Sequence, residues 1–240
     1  MKKVNITVEK KEYGVREAVK TLRTNLRFCG DDKQVILMTS CLPGEGKTAT
    51  SIELARSIAE MGNSVVLVDA DLRKSVMVSR LQTGNVEKGL SHFLSGQCVL
   101  ADALVSTNIP KMHLMVAGPV VPNPTELLET KRFQGMIDSM RKVYDYIIID
   151  CPPLGLVVDA AIVAKECDGA ILVVESAKTK YRLAQSVKEK LEYTGVPILG
   201  VVLNKVERKK NSGYYNKYYG KEYKKDNYEG YYSSEEKKKK

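Results

Sequence analysis

Residues 41–48 read Cys-Leu-Pro-Gly-Glu-Gly-Lys-Thr and follow an apolar run of strand length. Backbone N–H groups of such a glycine-containing turn point at the β- and γ-phosphate oxygens of a nucleoside triphosphate, and the helix that begins there adds the positive end of its dipole. A strand–helix turn that binds nothing would not need Gly-Lys-Thr before an amphipathic segment. We therefore predict a P-loop, whose ATP-binding residues are Pro43, Gly44, Glu45, Gly46, Lys47, Thr48 and Ala49.

Acidic residues end two other apolar runs. Asp69 ends the run at 65–69 and is followed by Asp71, and Asp150 ends the run at 146–150. The carboxyl ends of parallel strands meet at one edge of a sheet, where ligands bind. A lone strand-end aspartate is more simply a helix N-cap, but three of them beside a Lys-Thr loop favour a metal. The predicted ligands of a magnesium ion, some of them through water, are Thr48, Asp69, Asp71 and Asp150.

Phosphoryl transfer needs charge neutralisation, positioning and a base for the acceptor's proton. Lys47 and the magnesium ion would neutralise charge, and Asp69 or Asp71 is placed to act as the base. A tyrosine hydroxyl, with an ordinary pKa of about 10, would need such a base. The predicted catalytic residues are Lys47, Asp69 and Asp71.

Strand-length apolar runs alternate with helical patterns along the chain, which predicts an α/β fold of the P-loop NTPase type. Strands are predicted at residues 35–39, 64–69, 113–117, 145–150, 170–174 and 197–203. Helices are predicted near residues 13–28, 47–61, 125–142, 157–166 and 180–194. The strands are almost wholly apolar, so we expect a mostly parallel sheet with helices on both faces.

Composition limits the class of protein. The 240 residues, 43% of them hydrophobic, suffice for one α/β domain. No run of 18 or more apolar residues is present, and no apolar stretch follows the charged N-terminus as it would in a secretory signal. The five cysteines lack paired spacing, which favours reduced thiols in the cytoplasm.

The net charge of +9 is concentrated at the C-terminus. Residues 208–240 contain 11 basic and 5 acidic residues, which leaves a surplus of only three for the preceding 207. This segment has no aliphatic residue but eight of the 13 tyrosines, at Tyr214, Tyr215, Tyr218, Tyr219, Tyr223, Tyr228, Tyr231 and Tyr232. Such a composition buries too little apolar surface to offset chain entropy, so we expect a disordered tail.

These motifs together resemble the bacterial protein-tyrosine kinases, the cytoplasmic kinase component of capsular or exopolysaccharide synthesis. The matching segments are residues 40–48, 65–73, 118–128 and 146–153 and the tyrosine-rich tail. The resemblance implies that Asp69 activates the tyrosine hydroxyl, that Asp71 supports it, and that the eight tail tyrosines are the phosphoacceptors. It also implies three regions: an N-terminal oligomerisation element at 1–30, a kinase domain at 31–207 and the tyrosine cluster at 208–240.

The resemblance further implies partners. An E-x-x-R-x-x-R helix of the family mediates ring-shaped homo-oligomers, in which each tail enters a neighbour's site. The matching residues here are Glu17, Lys20 and Arg23, and Lys20 lacks the bidentate pairing of arginine. The activator would be the cytoplasmic tail of a separate membrane-spanning protein, which recruits the kinase to the inner face of the plasma membrane. A tyrosine phosphatase is the expected antagonist, and no nucleic-acid partner is predicted.

Two other nucleotide-binding classes deserve comparison. Partition and cell-division ATPases carry a second lysine at the position of Leu42, and Leu42 cannot reach a phosphate in another subunit. A GTPase would rest on residues 204–207, Asn-Lys-Val-Glu, in which glutamate replaces the aspartate of the guanine motif. Nucleotide competition separates the second class from a kinase.

Two non-kinase functions also stay open. Tyrosines among lysines could stack on RNA bases, although acidic residues are interspersed in the tail. A nucleotide switch could regulate polysaccharide synthesis without phosphorylating any protein.

Overall fold

The computed structural model describes residues 2–8 and 11–207. The tyrosine cluster predicted at 208–240 lies outside these residues. Those up to Lys205 belong to one unit, built on a single eight-stranded sheet. Its strands are β1 Lys2–Val4, β2 Val35–Ser40, β3 Val65–Asp69, β4 Val105–Thr107, β5 Met112–Met115, β6 Tyr146–Asp150, β7 Gly169–Glu175 and β8 Ile198–Asn204.

The strand order is β1-β4-β5-β3-β6-β2-β7-β8, and every neighbouring pair is parallel except β4 and β5. The helices are α1 Tyr13–Phe28, α2 Lys47–Glu60, α3 Met77–Leu81, α4 Leu90–Leu94, α5 Leu100–Ala103, α6 Pro124–Leu128, α7 Lys131–Arg141, α8 Asp159–Ala164 and α9 Tyr181–Glu192. The prediction of a mostly parallel α/β sheet is confirmed.

The core lies on both faces of the sheet. In β2 all six residues are buried, since Leu37 belongs to the apolar cluster on one face and Ile36 and Met38 to the cluster on the other. One cluster includes residues of α7 and α8, and the other includes residues of α1 and α2. Two covered faces explain why the strands read as unbroken apolar runs. The carboxyl ends of β2, β3, β5, β6, β7 and β8, which all run in one direction, lie at one edge of the sheet. The predicted site residues fall at that edge.

The secondary structure differs from the predictions in several places, and the predicted helix ranges do not include the short helices α3, α4 and α5. The helix predicted at 125–142 is wrong as one element, because Thr130 caps a new helix there by accepting a hydrogen bond from the Phe133 N–H. Strands β1 and β4 were not predicted, because three residues are too few for a readable alternation. The strand predicted at 113–117 lies at Met112–Met115.

The amphipathic helix predicted at 13–28 is confirmed with the same bounds. Its Leu26 is buried, and its Arg23 Nη1 lies 2.9 Å from both the carbonyl oxygen and the hydroxyl of Ser57 in α2. Residues 2–4 join the sheet, since β1 pairs with β4 in parallel. No helix among the described residues is both long and apolar enough to cross a membrane.

Candidate active site

The P-loop connects β2 to α2 through two glycines with left-handed backbone. Gly44 has φ +83° and Gly46 has φ +96°, values that side chains with a Cβ rarely adopt. A Cβ on Gly46 would also lie 2.0 Å from Asn204 Nδ2 at the end of β8. The loop is therefore tightly curved and in close contact with the neighbouring strand end, directly before the first turn of α2 and its unpaired N–H groups.

Lys47 brings the predicted residues together. Its Nζ lies 3.3 Å from Asp71 Oδ2 and 3.6 Å from Asp150 Oδ2, and the lysine is 8% exposed. Thr48 donates a hydrogen bond of 2.7 Å to Asp150, and Ser51 donates one of 3.1 Å to its other oxygen. The ammonium group, the hydroxyl and two carboxylates thus meet at the carboxyl ends of β2, β3 and β6.

Asp69 and Asp71 have different surroundings. Asp69 lies beside Asp150 in the register of β3 and β6, and its carboxylate accepts hydrogen bonds from the Ser75 hydroxyl and the Asp71 N–H. One oxygen of Asp71 accepts from the Lys74 N–H at 3.0 Å, and the other faces Lys47. Asp71 therefore contacts the P-loop lysine directly, whereas Asp69 is bonded to its own loop.

Burial controls the charges of this cluster. Burial, and then the charge of Asp150, raises the pKa of Asp69 to about 7. Burial also raises the pKa of Asp150, although Lys47 opposes this. For Lys47 burial lowers the pKa, but the charges of Asp150, Asp71 and Asp69 outweigh it and the pKa is raised. Lys47 is consequently a cation, and Asp69 can exchange a proton near neutral pH.

The donor set suits a magnesium ion held jointly with phosphate. Across residues 2–8 and 11–207, no group of three His, Cys, Asp or Glu residues could hold a metal ion alone. Magnesium is usually held by one or two carboxylates, several waters and substrate phosphates, so it does not need such a group. The Thr48 hydroxyl and the Asp150 carboxylate, in contact beside the P-loop, are hard oxygen donors of the right kind.

Glu45 has a role that the sequence did not reveal. Its carboxylate accepts hydrogen bonds from the N–H groups of Cys41 and Leu42, at 2.7 and 2.8 Å, and from the Thr179 hydroxyl. Asn204 donates to the Glu45 carbonyl oxygen at 2.9 Å. Thr179, in the turn after β7, was absent from the predicted site because no local pattern marks it. Asn204 was considered only as part of a guanine motif at 204–207, and its contact with the P-loop was not predicted.

Arg73 joins three segments next to the cluster. Its guanidinium forms a bidentate pair with Asp159, at the start of α8, and Nη2 also lies 3.0 Å from the Thr125 hydroxyl in α6. The bond to Thr125 connects the segments at 65–73 and 118–128. At the start of the P-loop, Gly155 allows a close approach of two backbone segments, since a Cβ on Gly155 would lie 2.0 Å from the Cys41 carbonyl oxygen.

Leu42 packs against the apolar cluster that includes residues of α7 and α8.

All five cysteines are free, and burial raises the pKa of the Cys41 thiol to about 11. The Cys41 thiol is therefore neutral near physiological pH.

The predicted oligomerisation residues lie along α1. Glu17 and Lys20 form an exposed ion pair of 2.8 Å, while Arg23 is bonded to Ser57 of the same chain. The role of the three residues in oligomerisation stays a prediction. The eight predicted phosphoacceptors belong to the part of the chain beyond residue 207, outside the description.

Known proteins are similar to this chain in sequence and in fold. A family model described as an AAA domain matches residues 33–190. The tyrosine-protein kinase CpsD of Streptococcus agalactiae serotype III is 43% identical over 198 residues, which cover 80% of this chain and 85% of that protein. The tyrosine-protein kinase YwqD of Bacillus subtilis is 36% identical over 206 residues, which cover 85% and 86% of the two chains.

Solved structures, a tyrosine kinase domain among them, have a similar fold. The chimerical protein CapA2B2 aligns with a TM-score of 0.79 at 31% identity, over 85% of this chain and 94% of that chain. The kinase domain of the Escherichia coli tyrosine kinase ETK aligns with a TM-score of 0.74 at 31% identity, over 83% and 80%. The septum site-determining protein MinD of Pyrococcus horikoshii, complexed with Mg-ADP, aligns with 0.64 at 29% identity, over 74% and 72%. The chain belongs to the family of bacterial tyrosine-protein kinases.

Proposed function

We propose that this protein uses Mg-ATP to phosphorylate tyrosines of its own C-terminal cluster, and that it thereby regulates capsular or exopolysaccharide synthesis. The observation that carries the proposal is the position of Lys47 Nζ between Asp71 and Asp150, beside a P-loop. The kinase names of its relatives supply the reaction class. The Mg-ADP bound to MinD supports the choice of nucleotide and metal.

Each residue of the cluster then has a task. The N–H groups from Gly44 to Ala49 and the Lys47 ammonium would bind the phosphates of ATP, and Thr48 and Asp150 would hold magnesium. A magnesium ion, when bound, neutralises charge on the phosphates. A phosphate bound to Lys47 would compete with its carboxylate partners, so nucleotide binding would redistribute the ion pairs of Asp71 and Asp150.

A carboxylate must accept the proton of the attacking tyrosine hydroxyl. The pKa of Asp69 is raised to about 7, mainly by burial, which suits a general base. Asp71 has the more direct contact with Lys47 and would orient the phosphate-binding lysine and assist the metal. We therefore assign Asp69 as the base and Asp71 as its support.

The acceptors would be Tyr214, Tyr215, Tyr218, Tyr219, Tyr223, Tyr228, Tyr231 and Tyr232, presented by a neighbouring chain of a homo-oligomeric ring. Each phosphate adds about −1.5 to −2 charges at neutral pH. Several of them would make the tail acidic and repel it from a site that contains three aspartates, which would loosen the ring. Light scattering before and after incubation with ATP tests this coupling, and an unchanged mass contradicts it.

Regulation would come from outside the chain. We propose a cytoplasmic location with recruitment to the inner face of the plasma membrane by the tail of a membrane-spanning activator, and reversal by a tyrosine phosphatase. The chimera CapA2B2, whose fold this chain shares, is consistent with a two-component system. A dimeric partition-type ATPase is disfavoured, because Leu42 packs against the core of its own chain.

The decisive experiment is the variant Lys47→Met. It should abolish phosphotyrosine formation on the tail during incubation with Mg-ATP, because no other P-loop side chain carries a positive charge. The matched control Lys188→Met removes an exposed lysine of α9 and should leave the labelling intact. Phosphopeptide mass spectrometry of both variants gives the readout. Persistent tail phosphorylation in Lys47→Met would refute the assignment.

A further inference from the structure

Glu45 is a buried carboxylate inside the P-loop, with 2% of its surface exposed. A buried carboxylate is stable only when hydrogen bonds compensate for the lost water. One oxygen of Glu45 accepts from the N–H groups of Cys41 and Leu42, and the next residue, Pro43, has no N–H to offer. The first turn of the P-loop is therefore organised around this carboxylate.

The second oxygen connects the P-loop to β7. The Thr179 hydroxyl donates to it and, with its own lone pair, accepts the Glu175 N–H at 3.0 Å. Glu175 is the last residue of β7, so a continuous hydrogen-bond path leads from a strand of the sheet to the phosphate-binding loop. Two N–H groups and one hydroxyl thus hold a single carboxylate, with donors on both sides of the loop.

The backbone of Glu45 is tied to β8. Its carbonyl oxygen accepts a hydrogen bond from Asn204 Nδ2, and the Asn204 carbonyl accepts one from the Ser176 N–H at 2.9 Å. Ser176 and Thr179 belong to the same turn between β7 and α9. Glu45, Thr179 and Asn204 consequently connect the carboxyl ends of three strands around the P-loop.

We propose that Glu45 and Thr179 are positioning residues of the kinase, which hold the P-loop in the curvature that directs its N–H groups at the ATP phosphates. This inference rests on the proposed function for the identity of the nucleotide. Convergent N–H groups bind phosphate only when their directions are preset, and displacements near 0.5 Å weaken such sites. Neither side chain needs to touch ATP itself. They act through the backbone of residues 41–46.

The test uses a pair of substitutions at Thr179 in the full chain. Thr179→Val keeps the size of the side chain but leaves a Glu45 oxygen without its donor, whereas Thr179→Ser retains the hydroxyl. We expect Thr179→Val to weaken Mg-ATP binding about tenfold, which equals ~1.4 kcal/mol. Thr179→Ser should recover most of that affinity. The control Ser139→Ala removes a hydroxyl that donates to the Gly135 carbonyl oxygen within α7, and it should bind Mg-ATP normally.

Glu45 is tested in the same way. Glu45→Gln retains an acceptor oxygen for the Cys41 and Leu42 N–H groups, and its amide can donate to Thr179, so it should bind ATP better than Glu45→Ala. In the double variant of Glu45→Gln and Thr179→Val the losses should be less than additive, because both act on one contact. If Glu45→Ala does not fold, the Thr179 pair and Glu45→Gln still decide the matter.

Two readouts separate this inference from the kinase assignment. Calorimetry of Mg-ATP binding does not depend on tyrosine transfer, and steady-state kinetics should show a raised KM for ATP with a smaller change in kcat. Equal ATP affinities of Thr179→Val and Thr179→Ser, both folded, would overturn the positioning role. A wild-type chain that binds Mg-ATP through this network but forms no phosphotyrosine would instead overturn the proposed function.

Discussion

Arg73 and Asp159 are 86 positions apart in sequence and form a bidentate ion pair, with Nε 3.0 Å from one carboxylate oxygen and Nη2 3.1 Å from the other. Asp159 begins α8 and is 1% exposed. Arg73 lies four positions after Asp69, the proposed base, and two positions after Asp71. The pair therefore attaches the loop that carries Asp69 and Asp71 to a helix on the same edge of the sheet.

Asp159→Ala should lower both stability and activity. It removes the buried carboxylate that accepts the charge-assisted hydrogen bonds of the exposed Arg73 guanidinium, and should cost about 1–3 kcal/mol in the free energy of unfolding. The freed loop should also lower kcat for tail phosphorylation. Urea denaturation and initial rates measure the two effects. Glu129→Gln, which alters an exposed carboxylate, is the control, and equal behaviour of both variants would contradict the role of the pair.

A glycine exchange tests the curvature of the P-loop. Gly46→Ala combines a φ of +96° with a Cβ 2.0 Å from Asn204, so we expect a loss of Mg-ATP binding and destabilisation by at least ~1 kcal/mol. Gly135→Ala in α7 has open space around the new Cβ and should stabilise the protein by about 0.5–1 kcal/mol. Titration calorimetry and thermal unfolding distinguish the two. Retained ATP binding in Gly46→Ala would contradict the described geometry.

The raised pKa of Asp69 has an effect on stability whose sign is known. A carboxyl group whose pKa is raised on folding stabilises the folded state fully below its unfolded pKa of about 4, and that contribution is lost as pH rises through about 7. Ionised Asp69 is thus unfavourable at pH 8. Asp69→Asn should raise the unfolding temperature at pH 8, measured with EDTA and without nucleotide, while tail phosphorylation is abolished. An unchanged or lower unfolding temperature would contradict this burial.

The contribution of Asp168 to stability should depend on pH in the opposite direction. Burial raises its pKa, but hydrogen bonds from Arg141, at 2.7 and 2.8 Å, and from the N–H groups of Val35 and Gln34 outweigh that effect and lower it. Its contribution to stability is therefore present above the unfolded pKa of about 4 and is lost as pH falls through the lower folded pKa. It ties the start of β2 to the end of α7.

Asp168→Asn should consequently cost about 1–3 kcal/mol at pH 7, because the charge-assisted bonds to Arg141 are weakened. The difference from wild type in the urea midpoint should shrink once the pH falls below about 4. Denaturation curves at several pH values measure this. A difference that stays constant with pH would show that the charge of Asp168 is not responsible.

The order of the longer elements and the chemically active residues of the site followed from local patterns. Glycine spacing predicted the P-loop, and apolar runs that end in aspartate predicted the tips of β3 and β6. Both patterns predict whether a short segment is buried and where the chain turns. These properties depend on residues that are close together in sequence. Helix α1 was predictable for the same reason, since its apolar stripe repeats with the helical period.

Which residues meet across the sheet was decided only by the tertiary structure. Glu45 and Thr179 lie 134 positions apart in sequence. They come into contact because β2 lies between β6 and β7 in the sheet, so that the loop after β2 is next to the turn after β7. Similarly, Asp69 is bonded to Ser75 while Asp71 faces Lys47, a division that depends on side-chain orientation in a crowded edge. The periodicity of apolar residues predicts which face of a helix or strand is buried. It does not predict which other element covers that face, because many elements could bury the same apolar side chains.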